Sequence, residues 1–277
     1  MCLADSVQSN TTQTPDPEAN IAIEYSDGIA YVRLNRPDKL NALTPEMGPQ
    51  YAQILADLDA DPNVRGILVT GAGRGFCSGA DLSSLTGSVD ALRQYVAGQS
   101  IRTLPAIALS LGTPVATAIN GPCAGIGFVL AISADARFVS PEATMSTTFA
   151  RLGLVAEYGI AWLLPRLIGL PAATDLLISG RTITGRQAQE LGLATCTEDP
   201  VEAARGWLTA ITETAAPSSV AAMKRQLLLA DSQTLSQSID SSLIEMAAAF
   251  DSPDLAEALA ARAEKRSPKF ADYPATD

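Results

Sequence analysis

Residues 21–25 and 29–34 are two short, largely apolar runs, and Ser26-Asp27-Gly28 between them carries the Asp-Gly pair of a tight β-hairpin turn. Arg36-Pro37 ends the second strand, because proline has no N–H to give to a ladder. The spacing then changes. From 44 to 60 apolar residues recur at helical intervals, with Thr44 placed as a cap and Pro45 at the first helical position, and Asp61-Pro62-Asn63 closes the segment. Residues 66–70 form an unbroken run ending at Gly71, the mark of a strand covered on both faces. The theme repeats: a long helix over 89–111, a buried strand over 114–119 ending at Asn120-Gly121, and a short helix around 127–133. Ala134-Asp135-Ala136-Arg137 leads into a further strand, with Asp135 read as structural.

Alternating strand, glycine-rich turn and helix place the first two hundred residues in the α/β class. After Pro200 the texture turns to Ala-, Leu- and charge-rich helices over 201–214, 220–229, 235–250 and 255–265. The expected organisation is a loose polar tail over 1–20, a core over 21–200, and a helical region over 201–277 that packs on its own core or on a second copy. No repeat of fixed period is visible.

Composition narrows the chemistry. There are 19 basic against 30 acidic residues, a net charge of −11, which argues against nucleic acid or an anionic membrane as the partner; an anionic ligand needs a locally basic mouth. The chain has no histidine, which removes Ser-His-Asp and Cys-His catalysis and most zinc sites, so no metal is expected and any acid or base is a carboxylate, Lys, Tyr or Cys. Cys2, Cys77, Cys123 and Cys196 show no C-x-x-C pairing, no apolar stretch is long enough to span a bilayer, and the start lacks a signal-peptide pattern. The expected location is a reducing cytoplasm.

Two glycine-rich turns follow the two buried strands: Gly71-Ala72-Gly73-Arg74-Gly75-Phe76-Cys77-Ser78-Gly79-Ala80-Asp81-Leu82, and Asn120-Gly121-Pro122-Cys123-Ala124-Gly125-Ile126-Gly127. Glycines let a ligand approach the main chain, and the second turn runs straight into a helix whose first N–H groups have no intrahelical acceptor. Neither turn fits the dinucleotide or P-loop fingerprints, and a G-x-S-x-G elbow is missing. Taken alone, each is as well explained as a tight connection.

With Arg36-Pro37-x-x-x-Asn41-Ala42-Leu43, Phe76-Cys77-Ser78-Gly79-Ala80-Asp81-Leu82, Asn120-Gly121-Pro122-x-Ala124-Gly125 and the closing Glu264-Lys265-Arg266-Ser267-Pro268-Lys269-Phe270, the chain resembles the crotonase (enoyl-CoA hydratase/isomerase) family in order and spacing, from about residue 21 to 270. The resemblance implies an α/β fold with a crotonase-type ββα spiral core and a C-terminal α-helical region, assembled as trimers or pairs of trimers. It implies an acyl-CoA thioester as substrate, with coenzyme A part of that substrate and no separate cofactor. It also implies an oxyanion hole from the backbone N–H groups of Ala80 and Ile126, Ile126 standing where many relatives have glycine. The CoA contacts then fall on Lys39, Leu40 and Ala42, on Ala80, Asp81, Leu82 and Ser83, and on Lys265. Arg36, Lys39 and Lys265 supply the positive mouth.

The two glutamates of hydratases in this family align with Val129 and Phe149, neither of which can carry a proton. Glu157, just before the next helix, stands where the peroxisomal type of 3,2-trans-enoyl-CoA isomerase carries its single base. The expected reaction is therefore double-bond migration from a 3-enoyl-CoA to a 2-enoyl-CoA with Glu157 as base, beside an apolar wall of Val129, Phe149 and Trp162. Tyr158 is read either as orienting Glu157 or as an ordinary surface tyrosine. Cys77 and Cys123, with no histidine to activate them, are read as packing residues. Two alternatives stand: a hydratase or other acyl-CoA lyase or hydrolase using Glu157 with water, and a non-catalytic acyl-CoA binding protein.

Overall fold

The computed structural model describes residues 19–81 and 105–270. Strands β1 (Ile21–Ser26) and β2 (Ile29–Leu34) form the expected hairpin, with both turn residues, Asp27 (φ 54°) and Gly28 (φ 74°), left-handed as a two-residue turn requires. Helix α1 (Met47–Ala60) and strand β3 (Gly66–Gly71) follow. The helix starts two residues later than the Thr44 cap predicts, and no side chain caps it. The reason is tertiary: Leu43 pairs with Ala80 in a parallel bridge, which keeps the chain extended where a helix would begin.

Strand β4 (Val115–Ile119) leads through the two-residue strand β5 (Cys123–Ala124) into helix α2 (Ile126–Ile132), then β6 (Ala136–Val139) and β7 (Thr144–Ser146). Helices α3 (Ile160–Ile168) and α4 (Leu170–Ser179) precede strand β8 (Ile183–Thr184), helix α5 (Gly185–Glu190) and strand β9 (Thr195–Cys196). Of the predicted 89–111 helix, residues 89–104 lie outside the described residues; over 107–110 the chain is a 3₁₀ turn.

The main sheet runs β1-β2-β3-β4-β6-β9, antiparallel at the first pair and parallel thereafter. Alternation decides which face each residue serves. Ile67 and Val69 of β3 enter the large core with Tyr51 and Leu55 of α1 and Phe128 of α2. Leu68, with Ala116 and Ala118 of β4 and Phe138 of β6, enters a second, smaller core on the other face. That face is closed by helix α6 (Pro200–Thr214) through Ala204 and Leu208. The change of texture at Pro200 therefore does not mark the end of packing on the sheet. The expected α/β core and the helical C-terminal region are both present in this arrangement.

Helices α7 (Pro217–Leu229), α8 (Leu235–Asp251) and α9 (Pro253–Glu264) complete the described chain. Lys224 of α7 ties them to the sheet by donating to Asp135 (2.6 Å) and to the Thr113 carbonyl (2.7 Å), while Asp135 also accepts from the Val115 N–H, the structural role expected of it. No described helix is long and apolar enough to cross a membrane.

A second, three-stranded sheet, β5-β7-β8, has strands too short to leave a periodic signal, and the sequence did not reveal it. It carries the second glycine turn.

Close packing of α2 on the first turn makes a stability prediction. A Cβ at Gly127 would lie 2.2 Å from the Cys77 carbonyl oxygen and 2.7 Å from its Cβ, both buried, whereas one at the exposed Gly206 in α6 meets nothing within 4 Å. Gly127→Ala is expected to lower the unfolding free energy by about 2 kcal/mol or more. Gly206→Ala is expected to raise it by roughly 0.5–1 kcal/mol. Urea denaturation of the two variants checks both signs.

Candidate active site

Parallel strands β3 and β4 end side by side, so both glycine turns leave the carboxyl edge of the sheet, where ligands of such sheets bind. Two side-chain amides stitch them. Asn41, fully buried and left-handed (φ 57°), accepts from the Arg36 N–H (2.8 Å) and donates to the carbonyls of Ala72 (3.0 Å) and Gly75 (2.7 Å). Asn120 donates to the carbonyls of Gly71 (3.0 Å) and Gly73 (2.9 Å). Backbone bridges finish the work: Leu43 N–H donates to Gly79, Asp81 N–H to Leu43, Cys77 N–H to Pro122, and Ala124 N–H to Cys77.

Within this mesh the N–H groups of Ala80 and Ile126 find no acceptor among the described residues. Ile126 is the first residue of α2, where an N–H has no intrahelical partner. The turns that carry the two groups touch: Gly79 (φ 111°) and Gly125 (φ 54°) adopt conformations that other residues resist, and a Cβ at Gly79 would sit 3.2 Å from the Ala124 carbonyl oxygen. Ala80 is exposed and Ile126 lies at the edge of the core. Unpaired, fixed amide donors in adjoining turns suit an oxygen on which negative charge develops.

The second sheet aligns a third segment with these turns. Strand β7 pairs with β5, and the Gly125 N–H donates to Ser146 (3.1 Å). Thr148 follows, left-handed at φ 50°, with its hydroxyl 3.4 Å from where a Gly125 Cβ would stand. From there the chain runs through Phe149 to Glu157 and into α3. Val129 and Phe149 are both buried, as the apolar wall requires. Trp162 is not part of that wall: it is 42% exposed, and the Arg166 guanidinium stacks 3.8 Å from its ring centre. An arginine four residues on in the same helix gives the ring a partner on the surface.

Glu157 is half-buried, and its carboxylate makes no hydrogen bond or ion pair with any described residue. Burial pushes its pKa above the usual carboxylate value, since low polarity disfavours the charged form. Cys77 and Cys123 are fully buried thiols, the first pushed up to about 12 and the second well above its ordinary value by the same cause, which keeps them protonated packing groups.

The expected CoA contacts divide. Lys39 is exposed, at the end of a 3₁₀ turn, and Leu40 (φ 49°) accepts the Ser78 N–H (2.9 Å) through its carbonyl; Ala42 is buried, with its carbonyl bonded to Arg36. Asp81 is engaged within the turn: its side chain is 9% exposed and its carboxylate pairs with Arg36 at 2.8 Å. The same pair engages the Arg36 guanidinium. Leu82 and Ser83 lie outside the described residues. Lys265 is exposed as the left-handed cap of α9. The sequence reading missed Arg74, which is exposed between Gly73 and Gly75, two glycines that would touch Pro37 (2.9 Å) and Leu40 (3.2 Å) if they carried a Cβ. Its signal was its place in the turn, overlooked because the glycines drew attention. Among the described residues no three His, Cys, Asp or Glu side chains group as a metal site.

Known proteins share both the sequence and this arrangement. The chain is 32% identical over 254 residues, 88% of its length and 95% of the relative, to the 1,2-epoxyphenylacetyl-CoA isomerase of Escherichia coli (strain K12). It is 30% identical over 254 residues, 90% of its length and 98% of the relative, to the (E)-benzylidenesuccinyl-CoA hydratase of Thauera aromatica. A crystal structure of enoyl-CoA hydratase from Bacillus anthracis superposes with a TM-score of 0.84 at 27% identity, covering 92% of this chain and all of that one. The sequence profile of the enoyl-CoA hydratase/isomerase family matches residues 24–273, and with it the chain belongs to that family.

Proposed function

We propose that the protein moves the double bond of a 3-enoyl-CoA to give the 2-enoyl-CoA, with Glu157 as its single base. The observation that carries this reading is the exchange of carboxylates: Val129 and Phe149 are apolar and buried, while Glu157 is half-buried, unpaired among the described residues and raised in pKa. The thioester oxygen sits between the N–H groups of Ala80 and Ile126, and each such donor contributes about 3 kcal/mol to stabilising a developing oxyanion. Glu157 removes a proton from the α-carbon, the electron pair spreads over the dienolate onto that oxygen, and the same carboxyl returns the proton to the γ-carbon. The apolar wall excludes water, which favours proton return over hydration. Coenzyme A is part of the substrate, its phosphates met by Lys39, Arg74 and Lys265. A hydratase or other acyl-CoA reaction is the second reading, favoured by the hydratases among the relatives, with water placed by Glu157.

The partner is a second copy of the chain. Helices α7, α8 and α9 present Leu227 (78% exposed), Leu235 (79%), Ile244 (73%) and Phe250 (65%), too much apolar surface for a lone helical layer in water. The expected assembly is a trimer or a pair of trimers.

Purified protein given 3-enoyl- and 2-enoyl-CoAs of several chain lengths is expected to interconvert the double-bond isomers faster than it forms 3-hydroxyacyl-CoA, by chromatography of the products. In the same assay, Glu157→Gln is expected to lower kcat by at least about a hundredfold; full turnover by this variant would remove Glu157 from the reaction.

Because the base must be ionised, kcat is expected to fall as pH falls through the raised pKa of Glu157, at a midpoint above the ordinary carboxylate value. The linked effect on stability has the opposite direction. A carboxyl that holds its proton more tightly when folded loses stability as pH rises from its unfolded to its folded pKa. Glu157→Gln is therefore expected to raise the melting temperature at neutral pH and to leave it unchanged well below that window.

Light scattering on a sizing column is expected to give a mass of three or six chains, and Ile244→Lys to reduce it.

A further inference from the structure

Among the described residues none bonds to the Glu157 carboxylate, and the backbone on either side of it is what fixes its place. Leu154 and Val155, just before, are exposed, the latter at 78%. Ala156 and Tyr158, the immediate neighbours, both pack against the main core. The Ile160 N–H donates to the Glu157 carbonyl at 3.0 Å, and Ile160 is buried. Glu157 thus lies at the crest of a turn pinned on both sides.

The turn is strained at one residue. Tyr158 has φ 51°, followed by Gly159 at φ 78°. Two successive left-handed residues reverse the chain sharply before α3. Glycine takes that conformation freely, but an aromatic L-residue pays about 1–2 kcal/mol for it and stays there only when its surroundings compel it. Asp27 and Asn41, left-handed elsewhere in the chain, are of types that tolerate the region; Tyr158, like Leu40, Thr148 and Lys265, is not, and needs its surroundings to hold it there. The Tyr158 ring is seated on the core.

We propose that Tyr158 is a positioning residue for Glu157: its ring, anchored on the core, holds the left-handed turn that fixes where the Glu157 side chain leaves the backbone. This rests on Glu157 being the base, and the test separates the two statements. Glu carboxyl carbons are labelled with ¹³C in wild-type protein and in Tyr158→Phe, Tyr158→Ala and Tyr158→Gly, and Glu157→Gln identifies the Glu157 signal. Its titration midpoint is followed alongside kcat and KM for a 3-enoyl-CoA. Tyr158→Phe keeps the ring and is expected to hold kcat within about threefold of wild type and leave the midpoint in place. Tyr158→Gly removes ring and strain together; its kcat is expected to fall by about ten- to a hundredfold with KM little changed, as a misplaced group does. Its Glu157 midpoint is expected to move down toward that of a solvated carboxyl. Tyr158→Ala keeps the strain without the anchor and follows Tyr158→Gly, which also serves if the alanine variant does not fold. A Tyr158→Gly protein with an unmoved midpoint overturns the positioning role. A moved midpoint with full turnover by Glu157→Gln keeps the positioning role and overturns the base.

Discussion

Two backbone N–H groups, of Ala80 and Ile126, have no acceptor among the described residues, and a dense mesh of hydrogen bonds surrounds them. An unmade amide hydrogen bond is costly in a folded chain, and the usual outcome is that such a group finds a partner. Asn41 and Asn120 donate to four carbonyls of the first turn, and parallel bridges pair Leu43 with Ala80 and Cys77 with Cys123. With those carbonyls engaged and the glycines packed closely, the backbone that carries the two amides is fixed in place. Pre-organisation of this kind is what makes amide donors effective toward an oxyanion, since little reorganisation remains when charge develops.

The ion pair between Arg36 and Asp81 belongs to the same mesh. Asp81 directly follows Ala80, and Arg36 spans from its carboxylate to the Ala42 carbonyl, so a charged clamp closes the first turn onto the early loop. A cation and a carboxylate are thereby engaged with each other in the scaffold. In a chain with net charge −11, Lys39, Arg74 and Lys265 are exposed cations. Glu157 shows the complementary economy. Its carboxylate is desolvated without being paired, which weakens the fold at neutral pH and brings the group nearer the working range of a base.

Much of this was legible in one dimension. The Asp-Gly hairpin, the two unbroken apolar runs and the glycine turns after them named the class and the place of the chemistry, because burial on both faces and the need for positive φ each leave a local mark. The missing histidines and the apolar residues at 129 and 149 narrowed the reaction further. What stayed hidden was cooperative. The start of α1 lies two residues past the Thr-Pro cap because a bridge to Ala80 outweighs that cap, the three short strands of the second sheet have no period to detect, and the exposure of Trp162 depends on packing around α3.

Periodicity by itself determined the α/β core, and the resemblance of four short motifs pointed to the family and to the shortlist of donors and carboxylates, since these depend on residue type and neighbours along the chain. Only the tertiary structure decided that Asp81 faces Arg36, that Arg74 stands beside the Lys39 loop, and that the Ala80 and Ile126 N–H groups have no acceptor among the described residues. The physical reason is the same in each case. Whether a polar group is free or engaged depends on what lies within about 3 Å of it, and that is fixed by segments distant in sequence.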